Sequence, residues 1–174
     1  STKSWPARSR SRGGGPDRVG TPANGDGGAR TVSTLERAIA IAAEAHAGQV
    51  DKAGAPYVLH PLRMMLQLSS TDERIVAVLH DVCEDCPGWT FDRLRGEGFP
   101  PHIIEALGSV TKRDGEDYEA FVLRAAANPL GRSVKLADLR DNSDLSRIAS
   151  PSDNDLRRLE KYRRAIALIE RLQS

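Results

Sequence analysis

The chain has 174 residues, of which 39% are hydrophobic and 28% charged, and its formal net charge is +1. These values are typical of one globular domain and exclude a membrane-spanning protein and one that binds nucleic acid through overall charge. Residues 1–34 carry a net charge of +4 and the remainder carries −3. The only cysteines are Cys83 and Cys86, so we expect no disulfide framework and a reducing, cytoplasmic location.

The first 32 residues are rich in glycine, serine and arginine and contain seven of the 15 glycines. Such a segment buries too little apolar surface to offset the entropy lost on ordering it. We therefore predict a disordered basic tail over residues 1–32 and one folded domain over residues 33–174.

The folded domain is predicted to begin with a helix capped by Ser33, because Ser33 and Glu36 have the spacing of a capping box. This helix ends at Gly48, and a loop over 49–56 leads to a second helix over 57–68. Asp72 is predicted to cap a third helix, which carries the buried residues Ile75, Val76, Leu79 and Cys83 and ends before Pro87.

Further helices are predicted from Thr90, from Pro100 to about Val110, and over 117–127 and 130–145. A last helix begins after Pro151. Its predicted buried residues are Leu156, Leu159, Tyr162, Ile166, Ile169 and Leu172. No segment shows the alternation of apolar and polar residues that is typical of a strand. We therefore predict an all-α fold of about seven to eight helices.

A cluster of acids and a histidine lies at His80-Asp81-Val82-Cys83-Glu84-Asp85. Residues four apart share a helix face, so His80 is expected to lie over Glu84, and Asp81 over Asp85. Three carboxylates this close repel one another unless a cation lies among them, and a divalent metal is the simplest candidate. The alternative is an exposed acidic turn that ends a helix.

His60 and Asp138 supply further candidate ligands. Asp138 lies in an apolar helix, where an unpaired carboxylate is costly. Together with His80 and Asp81 they form a mixed nitrogen and oxygen set that suits Mn, Fe, Zn or a similar divalent ion. Glu84 and Asp85 then remain near the metal, where they can orient or deprotonate the attacking water.

The order of these residues resembles that of the HD-domain metal-dependent phosphohydrolases, and within them the stand-alone alarmone hydrolases of the RelA/SpoT homologues. The resemblance spans roughly residues 35–172. The motifs that carry it, in chain order, are His46-Ala47-Gly48-Gln49, Lys52-Ala53-Gly54, Pro56-Tyr57-Val58-Leu59-His60-Pro61, Leu79-His80-Asp81-Val82-Cys83-Glu84-Asp85, Val110-Thr111-Lys112 and Val134-Lys135-Leu136-Ala137-Asp138 with Asn142.

The resemblance implies a helical HD fold that binds one divalent ion, usually Mn²⁺, and removes the 3′-pyrophosphate of guanosine tetra- or pentaphosphate. It implies that Glu84 and Asp85 activate the water and that Lys52, Lys112 and Asn142 contact the nucleotide. The metal ligands that it implies are His60, His80, Asp81 and Asp138. Only 32 residues follow Asn142, so we expect no alarmone synthetase in this chain.

The sequence departs from that family at Asp51, where members that hydrolyse guanosine alarmones commonly have an arginine. Arginine can stack on a purine, whereas aspartate cannot. An adenine alarmone or NADPH is therefore an alternative substrate. A non-catalytic nucleotide-binding module is a further alternative, and the oligomeric state is left open.

Overall fold

The computed structural model describes residues 32–172, so the predicted tail lies outside the described residues except for Val32. Within that range the chain is all-α, as predicted, and its only pairing of extended backbone is an isolated bridge between Val50 and Pro56. The helices are α1 (Leu35–Ala45), α2 (Leu59–Leu66), α3 (Thr71–Leu79), α4 (Val82–Asp85), α5 (Phe91–Gly96), α6 (Pro101–Val110), α7 (Tyr118–Ala127), α8 (Pro129–Ser143) and α9 (Asp153–Arg171), with a 3₁₀ turn at Leu145–Arg147.

The predicted third helix is present as two pieces, α3 and α4. The regular helix ends at Leu79, and α4 begins at Val82 after a turn formed by His80 and Asp81. Because of this division, residues 32–172 contain nine α-helices, where the sequence analysis expected seven to eight.

Two predicted helix caps are wrong by one or two residues. Thr34 caps α1, with its Oγ1 accepting from the amide of Arg37, rather than Ser33. Ser70 caps α3 in a capping box with Glu73, rather than Asp72. Ser70 is favoured because its hydroxyl and the Glu73 carboxylate each satisfy a backbone amide, whereas Asp72 lies in the first turn and pairs with His102.

The main core lies around α3, which packs against α1, α2, α6 and α8. Its residues Ile75 to Leu79 are all buried, so the second half of α3 is enclosed on all sides. Gly131, near the start of α8, lies close to α6 and α7. A Cβ atom there would be 2.1 Å from the Ser109 hydroxyl and 2.9 Å from the Ala125 carbonyl oxygen, so this helix contact requires glycine.

The last helix, α9, packs on α7 and α8 through Ala165 and Ile169, beside Tyr162 and Ile166. The prediction that Leu156 and Leu172 are buried is wrong, because 51% and 53% of their surfaces are exposed. Both lie near the ends of a helix of 19 residues, beyond the two turns that contact the bundle. No helix within residues 32–172 is both long enough and apolar enough to cross a membrane.

Candidate metal centre

The side chains of His60, His80 and Asp81 converge inside the bundle, where one potential ligand atom from each lies within 4.8 Å of the others. His60 comes from the first turn of α2, whereas His80 and Asp81 form the turn between α3 and α4. Asp138 on α8 joins them, because its Oδ1 lies 3.5 Å from Nε2 of His60. The structure thus brings together three of the residues that the sequence analysis selected as metal ligands and places the fourth, Asp138, against His60.

The turn at His80 and Asp81 places the histidine at the end of the enclosed helix α3. Because the helix breaks there, His80 does not lie over Glu84 on one continuous helix, as the sequence analysis expected. The amide of Asp85 still donates to the carbonyl of Asp81 over 2.9 Å. The two further acids, Glu84 and Asp85, therefore follow the candidate ligands within one helical turn.

Both imidazole rings are fixed in the same tautomer by acceptors at Nδ1. Nδ1 of His80 lies 2.8 Å from the carbonyl oxygen of Ala77, and Nδ1 of His60 lies 2.7 Å from Oδ2 of Asp141. A carbonyl and an ionised carboxylate can only accept, so each Nδ1 carries the proton. The Nε2 atoms are then left as the atoms that can bind a cation.

The Nε2 atoms face carboxylate oxygens rather than hydrogen-bond donors. Nε2 of His80 lies 3.2 Å from Oδ2 of Asp81, and Nε2 of His60 faces Asp138. Two acceptors at such distances repel each other unless a cation or a proton lies between them. The mixture of imidazole nitrogens and carboxylate oxygens fits a borderline divalent cation.

The pKa values of both histidines are raised, which shows that positive charge is favoured at this site. Burial lowers the pKa of His60, but Asp138 and Asp141 outweigh it and raise that pKa to about 9. Burial also lowers the pKa of His80, and Asp81 and Asp138 more than reverse this. The cluster thus carries an excess of negative charge when both imidazoles are neutral.

Asp138 is held as an ionised carboxylate despite its burial. Burial would raise its pKa, but Lys135, whose Nζ lies 2.8 Å from Oδ2, and His60 hold it well below its usual range. The Nδ2 atom of Asn142 also donates to Oδ1 of Asp138. Asn142 therefore lies beside the candidate ligands, one turn further along α8, as its spacing predicted.

Glu84 and Asp85 lie on α4, beside the cluster. Oε2 of Glu84 accepts a hydrogen bond of 3.1 Å from the backbone amide of Lys112. Loss of water around the carboxylate and the negative charges of Asp81 and Asp85 raise the pKa of Glu84, against the opposing effect of the Lys112 amide. A raised pKa increases the affinity of this carboxylate for a proton.

Lys52 lies on the loop between α1 and α2, and its ammonium is 3.5 Å from Oδ1 of Asp155 at the start of α9. The neighbouring Asp51 is turned into the loop itself. Its Oδ1 accepts from the amides of Ala53 and Ala55 at 2.9 and 3.0 Å. The carboxylate of Asp51 thus stabilises this loop. Unlike an arginine, it cannot provide a positive charge for a ligand.

A group of cations lies beside the cluster, where α8, α9 and the segment after α6 meet. Burial lowers the pKa of Lys161, and the nearby charges of Lys112, Lys135 and Arg158 lower it further. The ammonium of Lys161 lies 3.5 Å above the ring of Tyr118. Like charges gathered in this way favour the binding of an anion.

Two residues that sequence reasoning missed contact the candidate ligands. The hydroxyl of Tyr57 donates to Oδ2 of Asp81, and burial raises the pKa of Tyr57, so it stays protonated. Asp141 accepts from His60. Asp141 follows Asp138 by three residues and thus shares its helix face, a signal that could have identified it. Nothing in the spacing of Tyr57 indicates its partner.

Cys83 and Cys86 are both free thiols, and burial raises the pKa of each to about 11. Sγ of the buried Cys86 lies 3.4 Å from Nδ1 of His46, whose ring packs at 4.9 Å from that of Tyr57. Thiols with such high pKa values are poor metal ligands and nucleophiles. We therefore interpret His46 and Cys86 as buried packing residues beside Tyr57.

An all-α domain in which buried histidines and aspartates from separate helices converge in this way is of the HD type. Its fold is also that of a solved structure of a metazoan ortholog of SpoT, described as hydrolysing ppGpp and acting in starvation responses. The two share 19% identity and a TM-score of 0.58, over 80% of this chain and 95% of that one.

Curated relatives point to the same group of proteins, although no protein-family model matches the chain. A guanosine-3′,5′-bis(diphosphate) 3′-pyrophosphohydrolase of Aquifex aeolicus is 32% identical over 62% of this chain and 17% of its own length. A probable GTP pyrophosphokinase of Mycobacterium leprae is 30% identical over 69% of this chain and 17% of its own. The bifunctional (p)ppGpp synthase/hydrolase SpoT of Escherichia coli is 31% identical over 64% and 18%.

The chain is therefore a relative of the RelA/SpoT proteins, as its motifs predicted. It spans less than a fifth of the length of these curated relatives.

Proposed function

We propose that this domain hydrolyses the 3′-pyrophosphate of guanosine tetra- or pentaphosphate, giving pyrophosphate and GDP or GTP. The observation that carries this proposal is the convergence of His60, His80, Asp81 and Asp138 within one turn of two further acids. The names of the Aquifex and Escherichia relatives support the choice of substrate.

A divalent ion held by these four side chains supplies Lewis-acid chemistry, because it offsets charge on a phosphate and favours the ionisation of water. We propose Mn²⁺ as that ion, since imidazole and carboxylate ligands suit it. Lys135, Tyr57 and Asn142 hold the two carboxylates in place through the contacts described above.

Glu84 and Asp85 are proposed to orient the attacking water and to take its proton. The water oxygen bonds to the phosphorus nearest the ribose, and the bond from that phosphorus to the 3′ oxygen breaks. Pyrophosphate leaves, and the 3′ oxygen takes up a proton to become a hydroxyl. The raised pKa of Glu84 increases its affinity for that proton.

Lys52, Lys112 and Asn142 are proposed to contact the nucleotide. Lys112 belongs to the cations around Lys161, which suit the phosphates of the substrate. The amide nitrogen of Asn142 donates to Asp138. The amide oxygen of Asn142 can then accept a hydrogen bond from a ribose hydroxyl. Lys52 forms an ion pair with Asp155 over 3.5 Å, and its own side chain is 58% exposed, so a phosphate can displace this pair at little cost.

A second substrate class is favoured by Asp51. Its carboxylate is engaged with the amides of its own loop, and an aspartate cannot stack on guanine as an arginine can. Adenine alarmones and NADPH, which also carry phosphate on the ribose, are the alternative substrates. In either case, we propose that residues 33–174 form the catalytic unit and that it acts in the reducing cytoplasm, where Cys83 and Cys86 remain thiols.

The test is a substrate panel with metal-stripped protein reloaded with Mn²⁺, Zn²⁺, Fe²⁺ or Mg²⁺. Guanosine tetraphosphate, its adenine counterpart and NADPH are supplied in turn, and released phosphate and pyrophosphate are measured separately. We expect pyrophosphate from the guanosine substrate with Mn²⁺, and the same rate from a chain that begins at residue 33.

The matched variants in this test are Asp81→Asn, which should abolish release, and Asp72→Asn. The half-buried Asp72 lies at the start of α3 and pairs with His102, away from the cluster, so its loss should leave the rate unchanged. Mn²⁺-loaded protein that leaves guanosine tetraphosphate intact but cleaves NADPH would overturn the substrate. Protein that binds divalent ions and cleaves no nucleotide would overturn the enzymatic function.

A further inference from the structure

We propose that Asp141 is a positioning residue, which fixes the Nδ1–H tautomer and the ring orientation of His60 and makes its Nε2 a stronger cation ligand. This inference rests on the proposed metal site. Oδ2 of Asp141 lies 2.7 Å from Nδ1 of His60, and the side chain of Asp141 is 4% exposed. A buried carboxylate at this distance directs the proton of the ring away from the cluster.

Two arginines keep this carboxylate ionised and immobile. Arg63 on α2 donates from Nε to Oδ1 at 2.8 Å and from Nη2 to Oδ2 at 2.9 Å. Arg147 in the 3₁₀ turn lies 3.2 Å from Oδ1 and also donates to the backbone carbonyl of Asp141 at 2.7 Å. Asp141 can therefore only accept.

Arg63 and His60 lie three residues apart on α2, so one carboxylate of α8 holds both the ligand and its neighbour. This geometry locks α2 against α8 at the level of the cluster. Asp138 and Asp141 also lie three residues apart, on one face of α8. A single helix face thus presents a candidate ligand and the group that orients another.

The two histidines are held by different acceptors. His80 donates to the neutral carbonyl of Ala77, whereas His60 donates to a carboxylate. A charged acceptor increases the basicity of the opposite ring nitrogen more than a neutral one does. His60 is therefore the stronger of the two imidazole ligands, and loss of Asp141 should weaken cation binding through His60 alone.

The test compares Asp141→Ala, Asp141→Asn and Asp144→Ala with the unaltered protein. Asn has nearly the same shape and can still accept from Nδ1 through its oxygen, so it removes the charge and keeps an acceptor for His60. Its amide nitrogen then faces the donors of Arg63 and Arg147, and the parallel unfolding measurement reports the cost of that contact. Asp144 is exposed, lies 3.6 Å from the same Arg147 and has no contact with His60, which makes it the matched control. Mn²⁺ affinity is measured by calorimetric titration, and unfolding of the metal-free proteins is measured in parallel.

We expect Mn²⁺ affinity to fall about 10-fold in Asp141→Asn and up to about 100-fold in Asp141→Ala, with no change in Asp144→Ala. With saturating Mn²⁺, kcat should fall while the KM for the nucleotide stays the same, because Asp141 does not contact the substrate. In the diamagnetic Zn²⁺ complex, the nuclear magnetic resonance signal of the His60 Nδ1 proton should be present in the unaltered protein and lost in Asp141→Ala.

An Asp141→Asn variant that unfolds at lower temperature yet binds Mn²⁺ with unchanged affinity overturns the inference, since Asp141 would then serve only the packing of α2 on α8. The Asn variant keeps the experiment decisive if the Ala variant does not fold. The titration needs no substrate, so its result is separate from the proposed function. If the unaltered protein binds Mn²⁺ but hydrolyses none of the nucleotides, the proposed function is overturned, whereas the proposed role of Asp141 in metal binding is not.

Discussion

The backbone amide of Lys112 donates a 3.1 Å hydrogen bond to Glu84, a residue 28 positions earlier in the chain. The segment that carries Lys112 is held by Arg124 of α7. The guanidinium of Arg124 donates to the carbonyl of Thr111 at 2.9 Å and to Glu116 at 2.7 Å. A chain of contacts from α7 thus fixes the carboxylate proposed to receive the proton of the attacking water.

Glu84→Gln should lower kcat by about 10²- to 10⁴-fold, the usual contribution of a general base. The glutamine oxygen can still accept from the Lys112 amide, so the side chain keeps its place and loses only its proton affinity. Mn²⁺ affinity should be unchanged. Single-turnover kinetics and metal titration check both statements, and a rate near that of the unaltered protein would assign the proton transfer to Asp85.

Lys112→Ala should raise the KM for the nucleotide and leave kcat within about threefold. The substitution removes an ammonium from the cations around Lys161 but keeps the amide that holds Glu84. Arg113→Ala is the control, because Arg113 is exposed and uses its amide for Glu116. Steady-state kinetics at saturating Mn²⁺ distinguish the two, and a fall in kcat alone for Lys112→Ala would contradict a role in phosphate binding.

Gly131→Ala should destabilise the domain by about 1–3 kcal/mol, because the new methyl group overlaps the Ser109 hydroxyl and the Ala125 carbonyl. Gly108→Ala is the matched control. It also lies within a helix but has no heavy atom within 4 Å of the added Cβ, so it should stabilise by about 0.5–1 kcal/mol. Chemical unfolding measures both free energies. Equal effects of the two substitutions would mean that α8 can move away from α6 without cost.

The ion pair between Glu116 and Arg124 should stabilise the fold above about pH 4.5 and lose its effect as the pH falls towards 2. The hydrogen bonds from Arg124 lower the pKa of Glu116 from 4.5 to about 2 in the folded protein. A carboxyl whose pKa is lower when folded binds fewer protons in the native state, so stability rises with pH through this window. The unfolding midpoints of the unaltered protein and Glu116→Gln should therefore converge at low pH. A constant difference between them would show that charge is not involved.

Local sequence patterns predicted most helix boundaries well. Thr90, Asp117 and the proline at the start of α6 mark helix starts in the structure as they do in the sequence. Ser33 and Asp72 were wrong as caps because several capping residues lie side by side there, and the chain selects the one that best satisfies its amides. The break at His80 had no local signal, because both of its residues retain right-handed helical dihedral angles.

The sequence by itself determined the all-α class, the relationship to the RelA/SpoT proteins and the set of His60, His80, Asp81 and Asp138, whose role as ligands stays a prediction. These depend on residue types at fixed spacing, which is a local property. Only the tertiary structure decided which nitrogen of His60 faces the cluster, because Asp141 lies 81 residues away from its partner. Hydrogen bonds between distant segments depend on how helices pack, and helical periodicity does not encode that.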